Sequence, residues 1–459
     1  MRFISYVSTP EKGFRMPRTP FPHQLIARDF GVRNRGACYW MEMRTGKTFS
    51  TLLAVKELEA WPLLIVCPKS VMGVWEAEFR LEGAEENTVG VLDGHRGMRM
   101  KLLKEERPVY ICNFEMLADY DMFRIRKWAA IVIDESIKIG NITSKRTQYV
   151  LDYIQSKSYP EGQVRFCLSG SPASESPFQL IPQMYFVHGN FMGTANWEDY
   201  IRLNWQYNSY NFKWEPIRKK AHVEEIRKWN KANSYQLTMK ELGLTVPMLK
   251  RRIEFPLTAT QINMLDKVRG DAFYGDSKQY TPLVRANHEL QICCGIDPES
   301  KIVFDTRKIE HILDWHLDEG NEPLLVCSEF RTGVMDKFKE IADKKKIKVG
   351  FMVGGQPEEN KKVKALFDAG KLNVIFGQVE VVKMGLNFSR ASTIFYLSNS
   401  YSQDDRTQSE VRCNQMGKTE PTEIIDLIHP LCLDGAVVDL LEKKQDVSSS
   451  FVQKFYERR

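Results

Sequence analysis

The chain has 459 residues, too many for one hydrophobic core and suited to two domains of about 200 residues each. Hydrophobic residues at 43% and charged residues at 27% are the balance of a soluble globular protein, and no apolar run approaches the ~18 residues that would span a bilayer. The formal net charge of +6 permits nucleic-acid binding without requiring it.

From Met1 to Phe14 there is no apolar core of a secretion signal. The nine cysteines are scattered without paired C-x-x-C spacing, and the adjacent Cys293-Cys294 is poorly placed to chelate one metal. Reduced, mostly buried thiols and a cytoplasmic location are expected. After the basic stretch Arg15 to Arg18, Thr19-Pro20-Phe21-Pro22-His23-Gln24 leads into a helical pattern through Phe30. Strand-like runs follow at 37–41, 63–67, 109–112, 130–133 and 165–168. Helix-like segments such as 48–59 and 71–78 lie between them. Alternating strands and helices predict βαβ units and a parallel sheet, the first α/β domain over residues 1–195.

The composition then changes. Residues 196–300 read as a helical, aromatic and basic insertion with an inter-domain region. Trp197, Trp205, Trp214 and Trp229 fit base stacking or, more ordinarily, local core. The basic stretches Ile217-Arg218-Lys219-Lys220 and Leu249-Lys250-Arg251-Arg252 fit phosphate contacts or a solvated helix face equally. A second α/β pattern occupies residues 301–459. Its strand-like runs are 324–327, 349–353, 374–376, 393–397 and 423–428, with helices such as 332–344 and 359–369 between them. No repeat or low-complexity tail is visible.

The chemistry concentrates in two places. Met41-Glu42-Met43-Arg44-Thr45-Gly46-Lys47-Thr48 ends in the Gly-Lys-Thr of a phosphate-gripping loop. In such a loop, backbone N–H groups and a helix N-terminus face the phosphates. Lys47 adds a full charge, and Thr48 offers a hydroxyl to Mg²⁺. The strict pattern requires Gly at position 41, which is Met, so the triplet alone also fits a chance turn. The apolar run Trp128-Ala129-Ala130-Ile131-Val132-Ile133 then ends in Asp134-Glu135. A strand buried on both faces delivers its last residues to the crevice where parallel sheets bind ligands. Asp134 is the candidate Mg²⁺ ligand, and Glu135 is the candidate base that orients and deprotonates water. One phosphate loop and two parallel sheets predict a two-lobe motor with ATP in the cleft.

With these residues in place, the chain resembles the SNF2-like branch of superfamily 2 helicases, compact bacterial or bacteriophage members included. The likeness runs from His23 to about Ser449. His23-Gln24 resembles the Q motif, in which Gln24 would read adenine. The 41–48 loop is similar to the family's Asp-Glu-Met-Gly-Leu-Gly-Lys-Thr, with Arg44 where Gly is usual. Leu64-Ile65-Val66-Cys67-Pro68-Lys69-Ser70, followed by Trp75 and Phe79, resembles motif Ia, in which Lys69 and Ser70 would touch a DNA phosphate. Cys112-Asn113-Phe114-Glu115-Met116-Leu117 resembles motif Ib. Asp134-Glu135-Ser136-Ile137 stands for Asp-Glu-Ala-His, with Asn141 and Ser144-Lys145 matching further on. Leu168-Ser169-Gly170-Ser171-Pro172 resembles motif III, Leu-Thr-Gly-Thr-Pro.

In the second half, Leu290-Gln291-Ile292-Cys293-Cys294 is similar to Leu-Arg-Gln-Ile-Cys. Residues 324–330 resemble motif IV, and Met384-Gly385-Leu386-Asn387-Phe388 with Ala391-Ser392 resembles motif V. The run from Gln408 to Lys418 resembles motif VI. Leu440-Leu441-Glu442-Lys443-Lys444 resembles the closing helix that braces the second lobe on the first. Motif VI carries the main departure, because the family has two arginines there. Arg412 fills the first position and Gln415 the second, and a neutral amide cannot replace an arginine finger's charge. Lys418 and Arg406 are the candidates to compensate.

The resemblance implies an α/β fold of two RecA-like lobes with a helical insertion and a brace helix. It implies a monomeric DNA-dependent ATPase that uses ATP and Mg²⁺ and tracks duplex DNA with little regard to sequence. Nucleotide contacts would come from Gln24, Arg44, Thr45, Gly46, Lys47, Thr48, Asp134, Gly385, Gln408 and Arg412. Glu135, Lys47 and Arg412 would be catalytic, and Thr48 and Asp134 would hold the metal. DNA contacts would come from Lys69, Ser70, Asn113, Ser169, Ser171 and Asn387. Remodelling of replication, repair or recombination intermediates follows as a role, with replication or recombination proteins as partners, in a bacterial or phage-infected cytoplasm. Two alternatives stay open. One is a strand-separating helicase of the same superfamily, on DNA before RNA. The other is an ATP-gated clamp that hydrolyses weakly because of Gln415.

Overall fold

The computed structural model describes residues 17–173, 176–208, 213–217, 219–243, 248–270, 282–383, 386–413, 418 and 420–443. Gly385, Gln415, Arg218, Met384 and Lys444 lie outside the described residues. The chain divides into two compact units, Met1–Gly243 and Leu244–Arg459.

In the first unit the apolar runs become strands β1 (Gly36–Met41), β2 (Leu63–Cys67), β3 (Val89–Val91), β4 (Val109–Asn113), β5 (Ala130–Asp134) and β6 (Val164–Ser169). Two short strands, β7 (Trp205–Asn208) and β8 (Lys213–Pro216), pair antiparallel as a separate ribbon. Then β9 (Ser234–Leu237) returns to the main sheet. That sheet has seven strands in the order β3-β4-β2-β5-β6-β1-β9, and all its pairings are parallel.

Every residue of β1, β2, β5 and β6 is buried, which is why β1, β2 and the body of β5 read as unbroken apolar runs, while β6 carries one charged residue, Arg165, inside its run. Their side chains still alternate between two faces. Leu63, Ile65, Val132 and Phe166 meet the helices α1 (Pro22–Arg33), α2 (Lys47–Glu57) and α3 (Met72–Leu81). Leu64, Val66, Ile131 and Cys167 meet the helices that follow on the other face. These are α4 (Arg96–Lys104), α5 (Met116–Asp119), α6 (Lys145–Gln155) and α7 (Leu180–His188).

Residues beyond 196 add α8 (Trp197–Asn204) and α9 (Lys219–Ala232) to this second face. The stretch expected as helical therefore also carries strands. Ser234 to Leu237 lie in register with Cys38 to Met41. Trp197 and Trp205 belong to the core, and Trp214 and Trp229 pack against it. Trp214 stacks on Phe178 at 5.3 Å and 8°. These tryptophans are local core, with their rings spent on packing.

The second unit has six parallel strands. They are β10 (Met248–Glu254), β11 (Leu324–Ser328), β12 (Val349–Met352), β13 (Val374–Gln378), β14 (Thr393–Tyr396) and β15 (Thr422–Ile428). Their order is β10-β15-β14-β11-β13-β12. Its helices are α10 (Ala259–Gly270), α11 (Pro282–Cys293), α12 (Arg307–Asp318), α13 (Val334–Lys344), α14 (Pro357–Asp368), α15 (Val379–Val382), α16 (Gln403–Val411) and α17 (Leu433–Glu442). Helices α12 and α13 cover one face, and α14 and α15 the other. Leu433, Val437 and Leu441 of α17 pack with Ala286 and Leu290 of α11. All nine cysteines are buried, and none is in a disulfide. Among the described residues no helix is long and apolar enough to cross a membrane.

Candidate functional site

Because the first sheet is parallel, its carboxyl ends lie along one edge, and its strand order decides what meets there. β5, β6 and β1 are neighbours. The Asp134-Glu135 turn, the Ser169-to-Pro172 loop and the 41–48 loop therefore adjoin. A Cβ built on Gly170 would sit 3.7 Å from both Met41 O and Met43 Cγ. Lys69 and Ser70 follow β2, and Asn113 ends β4, farther along the same edge.

The phosphate loop has left-handed backbone at Arg44 (φ 69°) and Gly46 (φ 85°). Arg44 thus adopts the conformation of the glycine it replaces, at a cost of roughly 1–2 kcal/mol. Gly46 is the N-cap of α2, and a side chain there would collide with Gln24 Nε2. Gln24 is itself pinned, because its Oε1 accepts from Phe21 N at 2.9 Å. Thr45 Oγ1 donates to Glu42 O at 2.7 Å, and Thr45 O meets His23 Nε2 at 3.0 Å. Lys47 Nζ donates to Met41 O at 2.7 Å and Glu42 O at 3.2 Å. Thr48 begins α2 beside it, half-buried. Strand β9 braces the loop from outside the motif. Glu42 N donates to Leu237 O at 2.9 Å, and Met239 N donates to Glu42 Oε2 at 2.7 Å.

Asp134 is buried and doubly held. Its Oδ2 accepts from the Trp75 indole at 2.8 Å, and its Oδ1 from Glu135 N at 2.9 Å. Burial pushes its pKa above the ordinary carboxylate value, while the Trp75 bond, the charge of Lys47 and the Glu135 amide each act in the opposite direction. Glu135 is left-handed at φ 50°, ψ 51°. A non-glycine residue held so costs roughly 1–2 kcal/mol, the kind of strain that marks functional turns. A carboxylate and a hydroxyl beside a phosphate loop are the oxygen donors that suit Mg²⁺.

The candidate DNA residues divide. Lys69 and Ser70 are exposed, and Lys69 pairs with Asp93 at 3.4 Å. Asn113 Oδ1 accepts from Met116 N at 3.3 Å. Ser171 is half-buried. Ser169 is fully buried, and its Oγ accepts from Ser171 N at 3.2 Å, so it shapes the loop from inside and offers no surface to a phosphate. Ser144 caps α6 by accepting from Thr147 N.

In the second unit, Arg412 donates through Nε and Nη2 to Lys383 O at 3.2 and 2.9 Å. Gln408 is half-buried, and Asn387 Oδ1 accepts from Ser389 N at 2.9 Å. The two reserve cations are held differently. Arg406 is 5% exposed and grips Asp426 with both Nη atoms at 2.6 and 2.8 Å and Glu410 through Nε at 2.6 Å. Its guanidinium lies 3.6 Å above the Tyr396 ring. Lys418 Nζ donates to Ala391 O at 2.6 Å and Thr422 Oγ1 at 2.7 Å. The basic run on β10 is likewise paired within the unit. Lys250 meets Glu410 at 2.7 Å, Arg251 meets Glu423 at 2.8 Å, and Arg252 meets Asp439 at 2.7 Å.

Two functional partners escaped the motifs. Trp75 follows motif Ia, but nothing local in sequence links its indole to a carboxylate 59 residues on. Gln183, fully buried on α7, accepts from Ser136 Oγ at 2.7 Å and donates to Pro172 O at 2.6 Å. The only signal for it was a polar residue inside the apolar stretch 180–187.

Comparison with known proteins places the chain among SNF2-type sequences. Over 438 residues the chain is 20% identical to the SWI/SNF-related matrix-associated actin-dependent regulator of chromatin subfamily A-like protein 1 homologue of Caenorhabditis elegans, covering 93% of this chain and 61% of that protein. The corresponding Xenopus laevis protein is 21% identical over 92% of this chain and 43% of its own length. The chain thus spans about half the length of such relatives. Helicase SWR1 of Mycosarcoma maydis is 30% identical over 159 residues, which cover 32% of this chain and 8% of that protein. Among solved structures, the Sulfolobus solfataricus SWI2/SNF2 ATPase core in complex with dsDNA aligns over 98% of this chain and 97% of its own, with 19% identity and a TM-score of 0.45. Residues 9–254 match the SNF2-related domain family, and the chain belongs to that family.

Proposed function

We propose that the chain is a DNA-dependent ATPase that translocates on duplex DNA and remodels replication, repair or recombination intermediates. The observation that carries this reading is the convergence of the 41–48 loop, the Asp134-Glu135 turn and the Ser169-to-Pro172 loop at the ends of three adjacent strands. Lys47 would exchange its carbonyl partners for phosphate oxygens, because an anionic oxygen attracts the ammonium more strongly than a neutral carbonyl does. Gln24, fixed against Gly46, would read the base. Arg44, Thr45 and Gly46 would form the phosphate cradle. Thr48 and Asp134 would hold Mg²⁺, which supplies charge neutralisation at the phosphates when bound. Glu135 would orient the attacking water and take its proton. In the second unit Arg412 is the candidate for stabilising developing charge, with Gln408 four residues before it and Gly385 of the motif V segment as further candidate nucleotide contacts. Lys69, Ser70, Asn113, Ser171 and Asn387 are the candidate contacts to DNA, mostly to phosphate, so binding would be sequence-tolerant and salt-sensitive.

A second reading, a weakly hydrolysing ATP-gated clamp, draws on one observation. Arg406 is buried on the carboxylates of Asp426 and Glu410, so it does not supply the charge missing at Gln415.

Steady-state ATP hydrolysis with no nucleic acid, duplex DNA, single-stranded DNA or RNA tests both readings, with Glu135→Gln in parallel. The translocase predicts strong stimulation by duplex DNA and a loss of roughly 100-fold or more in the variant. Tight DNA binding without stimulated turnover, together with a rise in turnover on Gln415→Arg, supports the clamp.

A further inference from the structure

Gln183 joins the two loops on which hydrolysis in the proposed ATPase depends. Every polar atom of its side chain is engaged. Oε1 accepts from Ser136 Oγ at 2.7 Å, and Nε2 donates to Pro172 O at 2.6 Å and to Gln179 O at 2.7 Å. Its backbone is equally fixed, because Gln183 O accepts from Cys167 Sγ at 3.4 Å. One buried amide on α7 therefore touches the turn after β5, the loop after β6 and its own helix. Removing it would take the amide acceptor from a buried hydroxyl next to Glu135, the residue held in left-handed backbone.

The chemistry of the tie belongs to this chain. The family pattern at this turn is Asp-Glu-Ala-His. The alanine has no hydroxyl to donate, and the histidine is Ile137 here. Ser136 supplies the missing donor one residue after the candidate base.

We propose that Gln183 is a positioning residue that holds the Asp134-Glu135 turn in register with the Ser169-to-Pro172 loop, so that hydrolysis depends on it while nucleotide binding does not. This rests on the ATPase reading above. Lys47 donates to Met41 O and Gln24 accepts from Phe21 N, and neither of these groups is bonded by the Gln183 side chain, whose partners are Ser136, Pro172 and Gln179. A shift at Glu135 alone misplaces the attacking water, and small misplacements at a reacting centre have large effects on rate.

The test compares ATP turnover of the full chain, with and without duplex DNA, in wild type, Ser136→Ala, Gln183→Met and the double variant, with thermal melts alongside. The expected result is a fall in kcat of roughly tenfold to a hundredfold for each single variant, with KM for ATP within about twofold. The double variant should be no slower than Gln183→Met alone, since both cut one connection. Unchanged kcat in a folded variant, equal movement of kcat and KM, or multiplicative losses in the double variant would each overturn the proposal. Should Gln183→Met fail to fold, Ser136→Ala, which deletes a single hydroxyl, decides alone. A wild type that hydrolyses no ATP sinks the ATPase reading and this proposal together. An active wild type with unaffected variants sinks the proposal only.

Discussion

Lys47 in the first unit is a cation inside a recognised motif and Arg406 in the second is a cation two residues before one, yet their surroundings differ in kind. Lys47 Nζ rests on two backbone carbonyls at a half-buried loop. Arg406 is buried on the carboxylates of Asp426 and Glu410, with the Tyr396 ring beneath it. A carbonyl is a neutral acceptor that a phosphate displaces with gain. A buried carboxylate is not displaced without leaving an uncompensated charge behind. Position near a motif therefore does not tell a candidate ligand-binding cation from an architectural one; burial on paired carboxylates marks the second. Arg406 braces β15 against α16, and the charge missing at Gln415 is not supplied from there.

Breaking the architectural pair has the largest expected effect. Asp426→Asn should destabilise the second unit by about 3–5 kcal/mol, because the Arg406 charge loses its bidentate partner. Chemical denaturation monitored separately for the two units measures it, and the transition of the first unit should stay in place. The pH dependence has a definite sign. Burial alone would raise the Asp426 pKa, but the Arg406 charge and hydrogen bond, with Asn399, hold it below the ordinary value of 3.8. The stability it contributes is therefore complete above that value and lost as the pH falls through the depressed one. The gap between wild type and variant should narrow only in acid. A gap that is small at neutral pH would mean that Arg406 is solvated and that the contrast with Lys47 fails.

Gly46→Ala probes the ligand-binding side, with a smaller effect. Left-handed backbone costs an alanine roughly 1–2 kcal/mol, and its methyl collides with Gln24 Nε2. KM for ATP should rise severalfold while the second unit melts as before. An unchanged KM would separate Gln24 from nucleotide recognition.

What was legible in the sequence follows from burial. The strands β1, β2 and β5 are buried on both faces, so each has an unbroken apolar run, and the Asp134-Glu135 pair at the end of one of them stood out. The strands that escaped notice are at the edges or short. Ser-Tyr-Gln-Leu of β9 has one neighbour and two polar residues, and β10 carries Lys250, Arg251 and Arg252 on an exposed edge. Both read as loop or basic helix. The site partners Trp75 and Gln183 were illegible for another reason. Their bonds span 59 and 47 residues, and only the sheet order brings them to Asp134 and Ser136.

The smallest expected effect separates two meanings of the β10 cluster. Arg252 is about a quarter exposed and bonds Asp439 and Glu442 of α17 at 2.7 and 2.6 Å. Surface pairs of this kind contribute about 0.2–1 kcal/mol, so Arg252→Ala should lower stability by no more than that. Its effect on DNA binding is the sharper readout. A side chain that neutralises one phosphate contributes about 0.9 to the slope of log affinity against log salt. With its guanidinium committed to two carboxylates, Arg252 should contribute nothing, and the slope should match wild type. A slope reduced by nearly one unit would show that DNA draws Arg252 away from Asp439 and Glu442. Carboxylate partners at a surface would then be no bar to a phosphate, and the rule drawn from Lys47 and Arg406 would hold only for buried cations.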